Sequence, residues 1–512
     1  MLEPEKRMHA RQLFVGVIFF ALARGLPSEE VSAGLEAGLG YTTEGTSWAG
    51  FYDLGRVDMG FASAFLDLGF AFHVTNDGRS NATEWWMEKI GDQYFKLDEG
   101  FTRLHAGSLL FEGGYLRALS SIETPYEVFI NPQGHPSLGM VLACEGSGFE
   151  YESRWIGVNI RSSNTYRYGD PMPGGQFDQP WRDKGVNHRL IALKLGDWRL
   201  GYQESTVYID RAFDPLYFLS PLPSILSNSL LTQGNNPWAQ GGGGNDNSLM
   251  GLFAEYRAGP AYAEVQLLVD DINLNFLFPS GSPLWSPNLT KFAWSLGGRY
   301  RSGFGTLGFW HGGATAHTFA AVYPTSYDSG ETSYNVNWIP YEYVYYPVVV
   351  FDGKMLDLRD SSIGFPWGEN ALAFRVTFDS TILQGTPWEI GVKASLEYVM
   401  NGSKSPNNPW HEYTSIDDIP QRIQLFNVGG PEVLEHRITL HLGATKQVGD
   451  FELKAAFDIG GVFNGLEPYE WPSGSGWDQR NEPVILKPVL GNNRFVFVVE
   501  LGARYVFAKE LP

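Results

Sequence analysis

NRFVFVVELGARYVF, residues 493–507, is the stretch on which the fold turns. Phe495, Phe497, Val499, Leu501, Ala503, Tyr505 and Phe507 alternate with Arg494, Val496, Val498, Glu500, Gly502, Arg504 and Val506. Successive strand side chains point to opposite faces, so one face is wholly apolar and the other accepts charge. A buried strand of a large soluble β-domain can show the same alternation. Length and aromatic ends tip the reading. About ten residues cross a bilayer as a tilted strand, and Phe or Tyr near each end sits at headgroup depth. The stretch is expected to close an outer-membrane β-barrel and to be the part of the chain that the barrel-assembly machinery engages.

Working back from it, the links between strand-like segments alternate in length. Those at 380–386 and 448–450 are short, whereas those at 401–434 and 464–492 are long. An outer-membrane barrel with its C-terminus in the periplasm has short periplasmic turns and long outer loops, and the rule holds back to about residue 137. Residues 209–247 and 312–370 are the other two long outer loops. The first contains Pro215, Pro221, Pro223, Pro237 and four consecutive glycines, Gly241 to Gly244.

At the other end, Val31, Ala33, Leu35, Ala37, Leu39 and Tyr41 alternate with Gly34, Glu36, Gly38 and Gly40 as a first strand. Between Val57 and Val74 the apolar positions change from odd to even near Ala64, which requires a turn or bulge. Segments near 101–111, 137–145, 149–162, 187–195, 198–208, 248–257, 261–271, 291–301, 304–311, 371–379, 387–400, 435–447 and 451–463 complete about seventeen strands. A single-chain barrel with both ends in the periplasm needs an even number. The expectation is an all-β, up-and-down antiparallel transmembrane barrel of eighteen strands, with sixteen as the alternative. The missing strand is placed between 113 and 131, where Tyr126, Val128 and Ile130 alternate with Glu127 and Phe129.

Composition agrees. Of 512 residues 18% are charged and 15% aromatic, with 60 glycines and one cysteine, a β-rich chain with many turns. Lys6, Arg7 and Arg11 precede the apolar run Leu13 to Ala23, which ends in Ala21-Leu22-Ala23; residues 1–23 read as a cleaved signal peptide and residues 24–512 as the barrel. A transmembrane anchor would need a longer run. Cys144 has no partner for an intrachain disulfide, and its alternation with Met140 and Leu142 makes it a core or lipid-facing side chain. The net charge of −20 speaks against nucleic acid and favours cations or neutral sugars.

No P-loop, HExxH, nucleophile elbow or cysteine pair is present, so no enzyme is expected. His105, His188 and His441 alternate with apolar neighbours as lumen-facing or packed histidines. An outer-membrane hydrolase would need a nucleophile beside a histidine at the rim. Trp238, Trp285, Trp338, Tyr341, Tyr343, Tyr345, Tyr346, Trp367, Trp410, Trp471 and Trp477 fall in the outer links. They either stack on sugar rings or form a girdle at the membrane interface and pack the loops. Asn247, Asp270 and Asp271 belong to two strands joined by Gly259-Pro260 and meet at one rim. They can coordinate calcium or sugar hydroxyls, or merely cap strand ends. Asp271, Asn273 and Asn275 begin a calcium-loop spacing, but Phe276 occupies the glycine position, and no cofactor or metal is assigned.

Gly201-Tyr202-Gln203-Glu204-Ser205 with Tyr208, Asp214-Pro215-Leu216-Tyr217 with Pro221, Asp246-Asn247 and Asp270-Asp271 together resemble the Wzi-like capsule-assembly family of outer-membrane barrels, over roughly residues 190–275. The resemblance implies a barrel that holds extracellular polysaccharide at the cell surface. The bottom-up alternative is a general porin that passes small solutes through a polar lumen.

Overall fold

The computed structural model describes residues 30–43, 50–76, 88–90, 93–132, 134, 136–159, 184–209, 211–224, 226–227, 246–271, 290–316, 318–319, 350–351, 354–355, 363–404, 425–426, 433–468 and 486–509. Residues 1–23 lie outside them.

Eighteen antiparallel strands form the wall: β1 (Glu30–Thr42), β2 (Gly50–Ala62), β3 (Leu66–Thr75), β4 (Gln93–Ala106), β5 (Leu109–Leu116), β6 (Ser137–Glu145), β7 (Phe149–Asn159), β8 (Lys184–Leu195), β9 (Trp198–Ile209), β10 (Asn247–Ala258), β11 (Ala261–Asp271), β12 (Lys291–Ser302), β13 (Gly305–Ala314), β14 (Ala371–Ile382), β15 (Ile390–Asn401), β16 (Glu435–Val448), β17 (Phe451–Phe463) and β18 (Arg494–Lys509). Each pairs with its sequence neighbours, and β18 pairs with β1 from Lys509 opposite Val31 to Val498 opposite Thr42, which closes the barrel. A short strand, Glu88–Ile90, adds to β4 at the long-link rim. The short turns, the start of β1 and the end of β18 share one rim; the long links leave from the other.

Most of the outer wall is apolar, as side chains that meet lipid at membrane depth must be. Leu501, Leu39, Leu442 and Phe457 are exposed on the outer face, and Cys144 lies there beside Met140 and Leu142. Aromatic rings gather at both rims. Trp294, His311 and Phe374 stack toward the long-link rim, whereas Trp198 with Tyr256 and Phe451 with Tyr505 mark the short-turn rim. This girdle comes from strand ends.

The number eighteen stands, but the missing strand is not where the sequence suggested. Residues 101–111 split at Gly107, whose φ of +63° makes the turn between β4 and β5. Tyr126, Val128 and Ile130 are not in the wall. Glu127 Oε2 accepts from the backbone N–H of Phe129 at 2.7 Å and of Ile130, so a side chain takes the place of ladder partners there.

Candidate functional site in the barrel lumen

Residues 117–132, which leave β5 near the long-link side, turn into the lumen. Glu123 reaches Arg257 at 2.7 Å and also Arg299, while Ser121 accepts from Arg199 at 2.6 Å. Arg199 and Arg257 sit at the short-turn ends of β9 and β10, so the segment descends most of the lumen. Thr124 meets Ser295 at 3.1 Å on β12, and Tyr126 donates to Glu397 at 2.7 Å on β15. The chain then returns past His188, whose ring lies 5.6 Å from that of Phe129, and Gly364 N–H donates to the Phe129 carbonyl at 2.9 Å.

This descent is held by packing as well as by polar contacts. Tyr126, Val128, Phe129 and Ile130 join inward-facing Ile156, Val186, Val207, Leu249, Leu268 and Ala293 in one buried apolar cluster, completed by Ile363, Phe365 and Trp367 of the β13–β14 link. Two strand glycines make room. A Cβ at Gly251 would stand 2.8 Å from the Phe129 ring, and one at Gly312 would stand 2.8 Å from Tyr126 Cβ. Trp367, read from sequence among the outer-loop aromatics, is buried here instead.

Charge in this half is compensated. Burial raises the Glu123 carboxyl and the guanidinium groups of Arg257 and Arg299 lower it; the guanidinium groups win. Glu127 goes the other way: burial pushes it up to about 8, against the two backbone N–H groups that favour its charged form. Its Oε1 is buried with no hydrogen-bond partner among the described residues.

Across the lumen, β16 to β18 and β1 to β5 present partly exposed charged side chains paired between strands. Lys454 lies 3.2 Å from Glu36, and Arg504 donates to Asp58 at 3.0 Å. Arg103 donates to Glu112 at 2.7 Å, and Tyr52 bonds Glu500. His441 pairs with Asp458 at 2.5 Å, His105 with Asp67 at 2.9 Å and His73 with Asp98 at 2.6 Å. On the filled side, by contrast, His188 of β8 is buried against Gln203 of β9 at 3.2 Å. The lumen thus has an apolar, filled side and a polar, solvent-lined side.

The residues singled out from sequence fare differently. Asn247 starts β10 and Asp270 and Asp271 end β11, so all three lie at the long-link rim on neighbouring strands. Asp270 is buried and ion-paired with Lys291 at 2.8 Å, with Asp271 opposite Lys291 in the β11–β12 register. An ammonium group therefore already compensates a carboxylate offered for calcium or sugar. Trp238, Trp338, Trp410, Trp471 and Trp477 lie outside the described residues, as do Trp285, Tyr341, Tyr343, Tyr345 and Tyr346. Sequence reasoning missed Glu123, Glu127 and Phe129 as lumen residues. The available signal was Pro125 and Pro132, which bracket an alternating run too short for a barrel strand and unsuited to a central ladder.

The motif behind the family resemblance assembles around the strands rather than at an open rim. Tyr202 donates to Glu204 at 2.9 Å, and Asp214 caps a one-turn helix, α1 (Pro215–Leu219). Arg211 joins Asp214 at 2.8 Å and Asp246 at 2.7 Å, and Tyr217 donates to Asp246 at 2.9 Å. Burial raises the Asp246 carboxyl despite Arg211.

No protein-family model matches the chain, and no curated protein matches it. Among solved structures it is similar to Wzi of Escherichia coli, described as an outer membrane protein involved in group 1 capsule assembly and a carbohydrate-binding β-barrel. The identity is 11% and the TM-score 0.49, over 97% of this chain and 88% of that one. It is similar to OccK5 (OpdH) of Pseudomonas aeruginosa at 11% identity and a TM-score of 0.45, over 94% and 99%. For OccAB4 of Acinetobacter baumannii the values are 9% and 0.44, over 94% and 98%. At such identities the likeness concerns the barrel alone.

Proposed function

We propose that this outer-membrane barrel acts at its outer face, binding or helping to assemble surface polysaccharide, and does not serve as a wide general pore. One observation carries the reading: residues 117–132 fill the β7 to β15 side of the lumen with apolar side chains and are bonded to the wall down to its short-turn end. A general porin keeps a polar, water-filled lumen. Tryptophans in the long outer links suit stacking on sugar rings, and Asn247 and Asp271 are the polar rim candidates that the Asp270–Lys291 pair leaves. The test is glycan binding by purified barrel in bilayer discs, with Trp471→Ala and Trp477→Ala as variants. Weakened binding with unchanged heat-modifiable migration supports the proposal. Unchanged binding removes the stacking argument.

A second reading rests on the opposite wall. The partly exposed Glu36–Lys454, Asp58–Arg504 and His441–Asp458 pairs line a polar path beside the filled side, which suits slow passage of small solutes or cations. Steady conductance indifferent to polysaccharide would favour this porin reading over the first.

A further inference from the structure

Residues 211–224 and 226–227 lie on the outside of the barrel. On β8, Val186, His188, Leu190 and Ala192 face the lumen, which turns Asn187 and Arg189 outward on the face of exposed Leu193 and Leu195. On β9, Gln203 and Val207 face inward, which turns Tyr202, Glu204 and Tyr208 outward with exposed Trp198 and Leu200. These outward polar groups are the ones that this segment covers. Arg189 donates to the Tyr217 carbonyl at 2.7 Å, and Ser224 N–H donates to Glu204 at 2.8 Å. Trp155 donates to the Ala212 carbonyl at 2.7 Å, and Ser153 to the Phe218 carbonyl at 2.7 Å.

Arg189 and Glu204 form an ion pair halfway along their strands, with side chains 2% and 0% exposed. A bare arginine on a lipid-facing wall at mid-bilayer is strongly disfavoured. Roofed by backbone carbonyls and an N–H, the pair is removed from lipid and hydrogen-bonded at once. The roof is itself two-faced: Tyr217, Phe218, Ser224 and Ser227 are buried beneath it, whereas Leu216, Leu219, Leu222 and Leu226 are 38% to 63% exposed on top.

We propose that residues 211–224 with 226–227 are a lipid-facing strap whose leucines Leu216, Leu219, Leu222 and Leu226 contact the acyl chains of the bilayer. The occupant follows from continuity. On the same strands, exposed Leu193, Leu195, Trp198 and Leu200 continue the apolar surface toward the short turn, so the leucines of the strap carry the apolar belt across a polar stretch of β8 and β9. The Arg211, Asp214, Asp246 and Tyr217 network fastens the strap at its rim end.

The experiment uses the full chain carrying Cys144→Ser and either Leu219→Cys or Leu200→Cys, labelled with a fluorophore and placed in vesicles of brominated phospholipid. Quenching at position 219 equal to that at 200 within about twofold supports the strap in lipid. Quenching by aqueous iodide with none from lipid overturns it. So does protection from both quenchers with excimer formation between pyrene labels, since a second copy would then cover the strap. As a second variant, Leu219→Lys with Leu222→Lys reduces the membrane yield of folded barrel; unchanged yield contradicts the proposal.

Discussion

Replacing Phe129 by alanine tests whether residues 117–132 govern the lumen. The ring is fully buried, lies 5.6 Å from His188 and occupies the space that Gly251 leaves by having no Cβ. Truncating a buried Phe to Ala costs about 3 to 5 kcal/mol, because transfer energy is lost and a cavity remains. The backbone contacts of residue 129, to Glu127 and Gly364, survive the change. The loss therefore falls on the docked segment and spares the wall, whose ladder is closed independently through β1 and β18. At about 1.4 kcal/mol per tenfold, the lower figure multiplies the undocked population about a hundredfold. In planar bilayers the variant should show large conductance steps about a hundred times as often as the parent. Equal step frequency, in a variant whose heat-modifiable migration shows an intact barrel, would refute the argument that this packing restricts the lumen.

Other expectations follow from the same geometry. Glu127 titrates near 8 when docked and near its ordinary 4.5 when released to water. Docking is strongest below about 4.5 and weakens by up to about 1.4 kcal/mol per pH unit as pH rises toward about 8, because the docked form holds a proton that the released form gives up. Step frequency should rise across that window, and Glu127→Gln should flatten the dependence; a pH-sensitive Glu127→Gln variant would place the titrating group elsewhere. Glu123→Ala removes the shared partner of Arg257 and Arg299. These groups are partly exposed, so the loss is about 1 kcal/mol, read as faster amide exchange in residues 119–125 with no change in barrel stability. Leu501→Lys puts an ammonium on the outer face at mid-strand, opposite Leu39. It should cost about 2 to 4 kcal/mol and lower the yield of heat-modifiable barrel, with normal yield arguing against a lipid-facing Leu501.

The wall of this protein was legible in its residue order because a membrane strand must satisfy two solvents with a period of two. Every second side chain between Phe495 and Tyr505 is apolar, and long and short links alternate as the two sides of the membrane demand. The lumen was not legible for a reason of the same kind. Inward-facing residues answer to whatever lies across the barrel, and that partner is remote in sequence: Glu123 finds Arg257 and Arg299, and Lys454 finds Glu36. Tyr126, Val128 and Ile130 showed the alternation of a strand while packing as the filling of one, because apolar periodicity reports burial and not the identity of the covering surface. Arg189 and Glu204 were likewise hidden in plain strand patterns. Charges on a lipid-facing side break the rule by which strands are recognised, and only a chain segment folded over the outer wall, with carbonyls aimed at the guanidinium group, makes them tolerable there. Local order thus settled how the chain crosses the membrane, and contacts over long sequence separations settled what stands inside the barrel and what lies against it.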